Sequence, residues 1–333
     1  MRYPALVLIT ALAGVFPAAV TAQQSTVNEV DQAVKDAYPA EMRPLPPPPG
    51  APAFQQRSCS AVYNRAGDGA PKLIAAAYTN GVSGRVVMLS YSKGPAGKGV
   101  ANALAEITDR DLYFLGERCE VSVVDLADPA SSSSPLKNTI KVSFEGADWF
   151  FLWNGTQLVN IGAVQQEFGA DQPPYTALSQ TQIVDVERSG ARQIVSVNGD
   201  SHQLPRDDGI AATATRTLFR FNGTRYAATR TFHFWASFDA QPGAPSTWKQ
   251  SIVLRSPAAS YKLIVVNGSR KGTDRVSSAR VVLNGQDVIA GSEVNLATDT
   301  LSKTVTLAAQ NTIQMTVSGK AGSTVYVMVE PQQ

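Results

Sequence analysis

Histidine and cysteine are almost missing from this chain: among 333 residues there are two of each. His202 and His233 fall in unrelated segments, and Cys59 and Cys119 lie far from both, so no set of ligands has the spacing of a tetrahedral zinc site. Charge is also sparse, at 17% Asp, Glu, Lys and Arg with a formal net charge of +2. There is no dense Lys/Arg stripe. Residues 246–333 carry nine Lys/Arg against five Asp/Glu, but these are scattered along alternating segments. The concentrated basic footprint of a nucleic-acid-binding protein is therefore lacking. After the first 22 residues no apolar run is long enough to cross a bilayer, which leaves no transmembrane anchor in the reading.

Those 22 residues read as a signal peptide. Arg2 supplies a positive start, Ala5 to Phe16 is apolar, and Val20-Thr21-Ala22 is a small-residue cleavage site before Gln23. The mature protein is expected to be secreted, or periplasmic in a bacterium. In such a compartment Cys59 and Cys119 are predicted to form a disulfide, closing a loop of about 60 residues worth roughly 4 kcal/mol on the chain-entropy model. Residues 23–57 hold a short amphipathic helix from Ser25 to Tyr38, with Val27, Val30, Val34 and Tyr38 on one stripe. A spacer follows in which six of the nine residues from Pro44 to Pro52 are proline. That composition favours extended polyproline II.

From residue 58 nearly everything reads as strand, in an all-β pattern. One phrase occurs three times: a strand ending in an Asx residue, a polar loop, then another apolar strand. Its anchors Asn64, Asp125 and Asp185 lie 61 and 60 residues apart. A fixed period of this size points to stacked supersecondary units. Phe151-Leu152-Trp153-Asn154-Gly155-Thr156 also aligns with Phe219-Arg220-Phe221-Asn222-Gly223-Thr224. Asn-Gly between such strands predicts a hairpin with a type I′ turn, positive in φ at both central residues. Only residues 101–107 look helical within this region. After Gln241-Pro242-Gly243-Ala244-Pro245 the rhythm changes, and residues 246–333 read as six or seven short strands, the size of an immunoglobulin-like or jelly-roll β-sandwich.

The apolar strand, Asx loop and aromatic Asn-Gly-Thr hairpin together resemble FG-GAP and VCBS-type propeller repeats of the integrin α-chain kind over roughly residues 60–235, within a repeat domain read at residues 58–240. The resemblance implies a propeller-like array of about three units of some 60 residues. In that family an Asp-x-Asp-x-Asp-Gly loop commonly holds Ca²⁺. Here Asp185, Glu187 and Ser189 before Gly190 keep that spacing with two carboxylates, while Asn64, Ala66 and Asp68 keep less. So few carboxylates predict weak calcium binding or none, the loops serving as hydrogen-bonded Asx turns. Propellers close with about four to eight blades. Three units must instead form an open or small array, recruit other strands, or self-associate. Residues 246–333 look like the small β-sandwich modules of bacterial secreted proteins.

Enzyme chemistry finds little support. Gly199-Asp200-Ser201-His202 resembles the nucleophile segment of GDS-type esterases, but Ser201 lies late in an all-β stretch and His233 has no Asp three residues before it. A serine needs a positioned base and an oxyanion hole to act as a nucleophile. Trp149, Trp153 and Trp235 are candidates for a sugar-stacking platform, against the plainer reading as core aromatics. The expectation is a non-catalytic exported binding or adhesion protein that recognises a glycan or a surface protein through repeat loops. The alternatives are an extracellular scaffold and, behind it, a secreted hydrolase.

Overall fold

β-Branched and aromatic residues alternate between Gly, Asn and Pro over most of the chain, and strands form accordingly. The computed structural model describes residues 29–42, 57–67, 69–80, 84–109, 119–128, 131, 133–144, 147–165, 180–187, 190–198, 215–254, 257–269 and 272–332. Three four-stranded antiparallel sheets come first, each a simple meander in which consecutive strands pair. Meander 1 holds β1 (Arg57–Arg65), β2 (Pro71–Thr79), β3 (Gly84–Lys93) and β4 (Gly99–Asp109). Meander 2 holds β5 (Cys119–Val124), β6 (Thr139–Phe144), β7 (Ala147–Trp153) and β8 (Leu158–Gln165). Meander 3 holds β9 (Gln180–Val184), β10 (Gln193–Asn198), β11 (Thr215–Phe221) and β12 (Tyr226–Phe232). Residues 101–107, expected to be helical, lie in β4 and pair with β3. Strand pairing overrides the helix propensity of an Ala-rich run.

The meanders match one another residue by residue. Crossing meander 1, Val62 pairs with Ile74 and Ile74 with Leu89. The corresponding rows are Val123, Ile140 and Phe151 in meander 2, and Ile183, Ile194 and Phe219 in meander 3. Ile74, Ile140 and Ile194 are all fully buried. Each row starts two residues before an anchor, so Asn64, Asp125 and Asp185 occupy equivalent places at the end of a first strand. A bulge adds a second match. Leu104, Ile161 and Thr229 are the extra residues of β4, β8 and β12, each just beyond this row on the fourth strand. A bulge there bends every meander in the same way.

The sheets then pack face upon face. A helix at residues 29–36, α1, lays Val30, Ala33 and Val34 on Ile74, Tyr78, Val87 and Leu89 of meander 1. The opposite face of meander 1, with Ala75, Ala77, Val86 and Met88, meets Ile140, Val142, Trp149 and Phe151 of meander 2. Phe150, Ile161 and Val164 on the far side of meander 2 meet Ile194 and Tyr226 of meander 3. Val195, Leu218 and Phe232 of meander 3 pack on Trp235, Ile264 and Met328 of the next layer. α1 covers one end face and the C-terminal strands cover the other.

Those strands form two four-stranded sheets around one core. The first sheet, in spatial order, is β13 (Phe234–Asp239), β20 (Thr324–Pro331), β15 (Tyr261–Asn267) and β18 (Thr300–Val305). The second is β14 (Ser246–Val253), β19 (Gln310–Ser318), β16 (Ser278–Leu283) and β17 (Gln286–Ile289). β19 alternates buried and half-exposed residues along its length, as one inner face requires. The boundary read from the sequence shifts here. β13, expected to end the repeat region, pairs with β20 and belongs to the sandwich.

The hairpin turns also differ from expectation. The loops at Asn154 and Asn222 are four residues long, closed by the pairs Trp153↔Leu158 and Phe221↔Tyr226. Only their glycines have positive φ, +103° at Gly155 and +100° at Gly223. Asparagine acts through its side chain instead: Asn154 Oδ1 accepts from the N–H groups of Thr156 and Gln157 at 3.0 and 2.8 Å. Asn222 does the same for Thr224 and Arg225. The two-residue turn with both φ positive is at Asn284 (52°) and Gly285 (82°), between Leu283 and Gln286.

Candidate functional site

In an up-and-down meander the loop between strands one and two lies at the same end as the hairpin between strands three and four. Each Asx loop therefore shares an end of its sheet with the third-to-fourth-strand connection, which in meanders 2 and 3 is an Asn-Gly hairpin. The disulfide joins Cys59 near the start of β1 to Cys119 at the start of β5, with Cα atoms 5.7 Å apart. The Asx loops of meanders 2 and 3 are stitched directly. Leu126 O accepts from Arg192 N at 3.0 Å, Arg192 Nη1 donates to Asp125 O at 3.1 Å, and Ala127 bridges Ala191. The result is a rim whose hairpin tips, residues 154–157 and 222–225, are exposed.

The three anchors share a position but not a chemistry. Asn64 Oδ1 accepts from Arg65 N at 2.7 Å. Asp125 Oδ1 accepts from Ala127 N at 2.9 Å, forming an Asx turn. Asp185 lies toward the sandwich, where its charge, after burial and the carboxylates of Asp274 and Asp239, helps raise Tyr326 to a pKa of about 12.

In the loop that keeps the calcium-loop spacing, Asp185, Glu187 and Ser189, Glu187 is already engaged by other side chains; Ser189 lies outside the described residues. Both oxygens of the Glu187 carboxylate are taken by guanidinium groups. Oε2 accepts from Arg220 of β11, and Oε1 from Arg230 of β12 at 3.2 Å. Arg230 continues to Glu330 of β20 at 2.7 Å, tying meander 3 to the sandwich. The loop itself is closed by the buried amide of Gln193. Its Oε1 accepts from Val186 N and Glu187 N, and its Nε2 donates to Glu187 O and Ala191 O. Among the described residues no group of three His, Cys, Asp or Glu is placed to hold a metal ion.

The tryptophans do not form one platform. Trp149, 4% exposed, is packed between meanders 1 and 2, and Trp235, 5% exposed, lies between meander 3 and the sandwich. They belong to different sheets, β7 of meander 2 and β13 of the sandwich, and each is buried in a different interlayer core. Trp153 is half-buried against the first of these cores, at the hairpin end of β7.

His233, between β12 and β13, donates its backbone N–H to Val329 O at 2.8 Å. Burial and then the nearby Arg216 charge lower its imidazole pKa. Arg216 is itself buried, which pushes its pKa down to about 10, and it donates to His233 O at 3.0 Å. Ser201 and His202 lie outside the described residues. A shallow cleft of about 580 Å³ on the sandwich is lined by Ser260, Lys262, Glu330, Pro331 and Gln332. Its carboxylate is the one already engaged by Arg230.

Sequence reasoning missed Gln193, Arg220, Arg230 and Glu330. Glu187 and its arginines are 33 and 43 residues apart, and Arg230 and Glu330 are 100 apart, so no local pattern signals the chain of ion pairs. None of the described helices is long and apolar enough to cross a membrane.

No protein-family model matches the chain, and the comparison with curated proteins gave no match. Among solved structures, an isomalto-dextranase of Arthrobacter globiformis T6, complexed with panose, aligns with 78% of this chain at 13% identity and a TM-score of 0.20. The alignment spans 36% of the length of that protein, and a likeness of this degree carries no argument about fold or function.

Proposed function

We propose that this chain is an exported, non-catalytic binding protein whose rim of Asx loops and hairpins recognises a glycan or a surface protein. One observation carries the reading: both faces of all three meanders are consumed by packing, so contacts with a partner are left to strand edges and rims. The described polar clusters support it, because they tie layers together instead of converging on a cleft. Glu187 is held by two arginines, and Asp148 of β7 by Lys141 at 3.1 Å and by the Thr181 hydroxyl. The disulfide supports an oxidising compartment, in keeping with the signal peptide read at residues 1–22. The matched rows of the meanders favour the FG-GAP and VCBS-type repeat reading, with α1 and the sandwich as ends in place of a closed ring.

The test is binding of the mature chain to arrays of glycans and surface polysaccharides, compared with a Gln157→Ala/Arg225→Ala variant at the two exposed hairpin tips. Loss of binding with unchanged thermal unfolding is expected. Failure of the wild-type chain to bind any surface polymer or protein would leave the scaffold reading, which the ties at successive layer junctions favour.

A further inference from the structure

We propose that the cleft on the sandwich is a binding site for a uronate, the carboxylate-bearing sugar of an acidic polysaccharide, with Lys262 as the group that meets the carboxylate. The cleft lies on the side of β15 and β20 that faces meander 3. Ile264 and Met328 sit opposite each other in strand register and pack against Val195, Leu218 and Phe232. Two residues further along each strand the same side carries Lys262 opposite Glu330. There the apolar contact gives way to the cleft, whose volume of about 580 Å³ falls within the roughly 300–1,000 Å³ of small-ligand sites.

Charge decides what the cleft accepts. Lys262 and Glu330, directly across an antiparallel pair, are placed to neutralise each other. Glu330 is engaged elsewhere: its Oε2 accepts from Nε and Nη2 of Arg230 on β12, at 2.9 and 2.7 Å. Arg230 in turn shares the Glu187 carboxylate with Arg220. The series therefore runs Arg220, Glu187, Arg230, Glu330, Lys262, with an excess of positive charge at the cleft end. Lys262 has no ion pair among the described residues, and it is half-buried, whereas Lys249 and Lys320 of the sandwich are exposed. A carboxylate beside Lys262 continues the alternation, in a partly sheltered place where a charge-assisted bond is screened less than on an open surface.

Neutral groups line the rest. Thr304 of β18 is the neighbour of Lys262 on its other side. Gln332 links two hydroxyls: its Nε2 donates to Thr304 Oγ1 at 3.1 Å, and its Oε1 accepts from Ser260 Oγ at 3.0 Å. In that arrangement the Thr304 hydroxyl keeps its proton to donate, and the Ser260 oxygen keeps lone pairs to accept. A sugar ring, whose hydroxyls both donate and accept, uses that pair of groups together with the ammonium. A bare anion uses the ammonium alone. The cleft shares no residue with the rim of Asx loops and hairpins, so this site stands or falls apart from the rim.

The experiment is calorimetric titration of the mature chain with trigalacturonate, with its methyl ester and with inorganic phosphate, at low and at physiological salt. Trigalacturonate is expected to bind, more weakly as salt rises, with the ester weaker by about tenfold or more for the loss of one charge-assisted bond. Lys262→Ala should weaken the acid by a similar factor at unchanged thermal unfolding, while Lys262→Arg, which keeps the charge, and the rim variant Gln157→Ala/Arg225→Ala retain binding. No heat at millimolar trigalacturonate, or equal affinity for acid and ester, overturns the proposal. Phosphate binding as tightly as the acid would leave an adventitious ion only and overturn it too. Binding lost in the rim variant and kept in Lys262→Ala would place the uronate at the rim and overturn this site alone. The comparison of acid with ester is made on the wild-type chain, so the proposal stays open to refutation even where Lys262→Ala does not fold.

Discussion

Tyr78, Tyr226 and Tyr326 are each placed at a junction between layers. Tyr78 donates to Val34 of the helix and Tyr226 to Arg192 O at 2.8 Å, while Tyr326 packs by Trp235 with ring centroids 6.2 Å apart. Burial holds the phenols of Tyr78 and Tyr226 well above their ordinary range, and burial with three nearby aspartates holds Tyr326 at about 12. A phenol with a folded-state pKa above its unfolded value near 10 contributes stability that is fully present below about pH 10 and is lost as pH rises toward the folded value. Alkaline titration followed by phenolate absorbance should therefore show a group of tyrosines that ionise only in step with unfolding measured by circular dichroism. Ionisation of every tyrosine ahead of unfolding would contradict this. At this scale the sequence was a partial guide. Trp149 and Trp153 lie on one side of β7, and nothing local in the sequence revealed that this side meets another sheet. Glu187 kept the spacing of a metal ligand, and the arginines that neutralise it arrive from later strands.

The strands themselves were legible because aromatic and β-branched runs are bounded by turn residues. β7 and β11 carry the aromatic runs that end in Asn154 and Asn222, and residues 246–333 hold seven strands where six or seven were expected. The bulges were not legible: Leu104, Ile161 and Thr229 share no residue type, since a bulge is defined by pairing across strands. The Asn-Gly hairpins were found correctly, but their turn type was not, because Asn serves there as a side-chain acceptor. Gly223, at φ +100°, sits in open space, so a methyl group meets no neighbour and its cost is conformational alone. Gly223→Ala is expected to lower stability by about 1 kcal/mol. Urea unfolding of the variant measures it; an unchanged midpoint would mean that the loop relaxes to a negative φ without penalty.

Across the whole molecule, the 61- and 60-residue spacing of the anchors disclosed the repeat, and the drop to short, regular strands disclosed the sandwich. The face-to-face order of the layers was out of reach, because side-chain patterns show that a face is apolar without saying what lies against it. α1 illustrates this: its stripe of valines was readable, its partner was not. The disulfide was predicted from compartment and count, and it staples meander 1 to meander 2 across a sequence separation of 60. Replacing both cysteines by alanine should cost ~4 kcal/mol on the loop-entropy model. The m-value should rise as the unfolded chain gains freedom, and denaturant unfolding of the oxidised protein against the double variant measures both. Equal midpoints would show that the apolar contact between these meanders suffices without the bridge.

An array finished at both extremities has a restricted way of changing length. A unit appended at either terminus would meet a surface already occupied, by a helix in one direction and by a sandwich in the other. A unit inserted between two existing meanders would find a receptive surface on each side, and the terminal elements would keep their own neighbours. Relatives with more or fewer units should therefore differ by duplication or loss in the interior, with the first helix and the final eight strands kept as constant bookends.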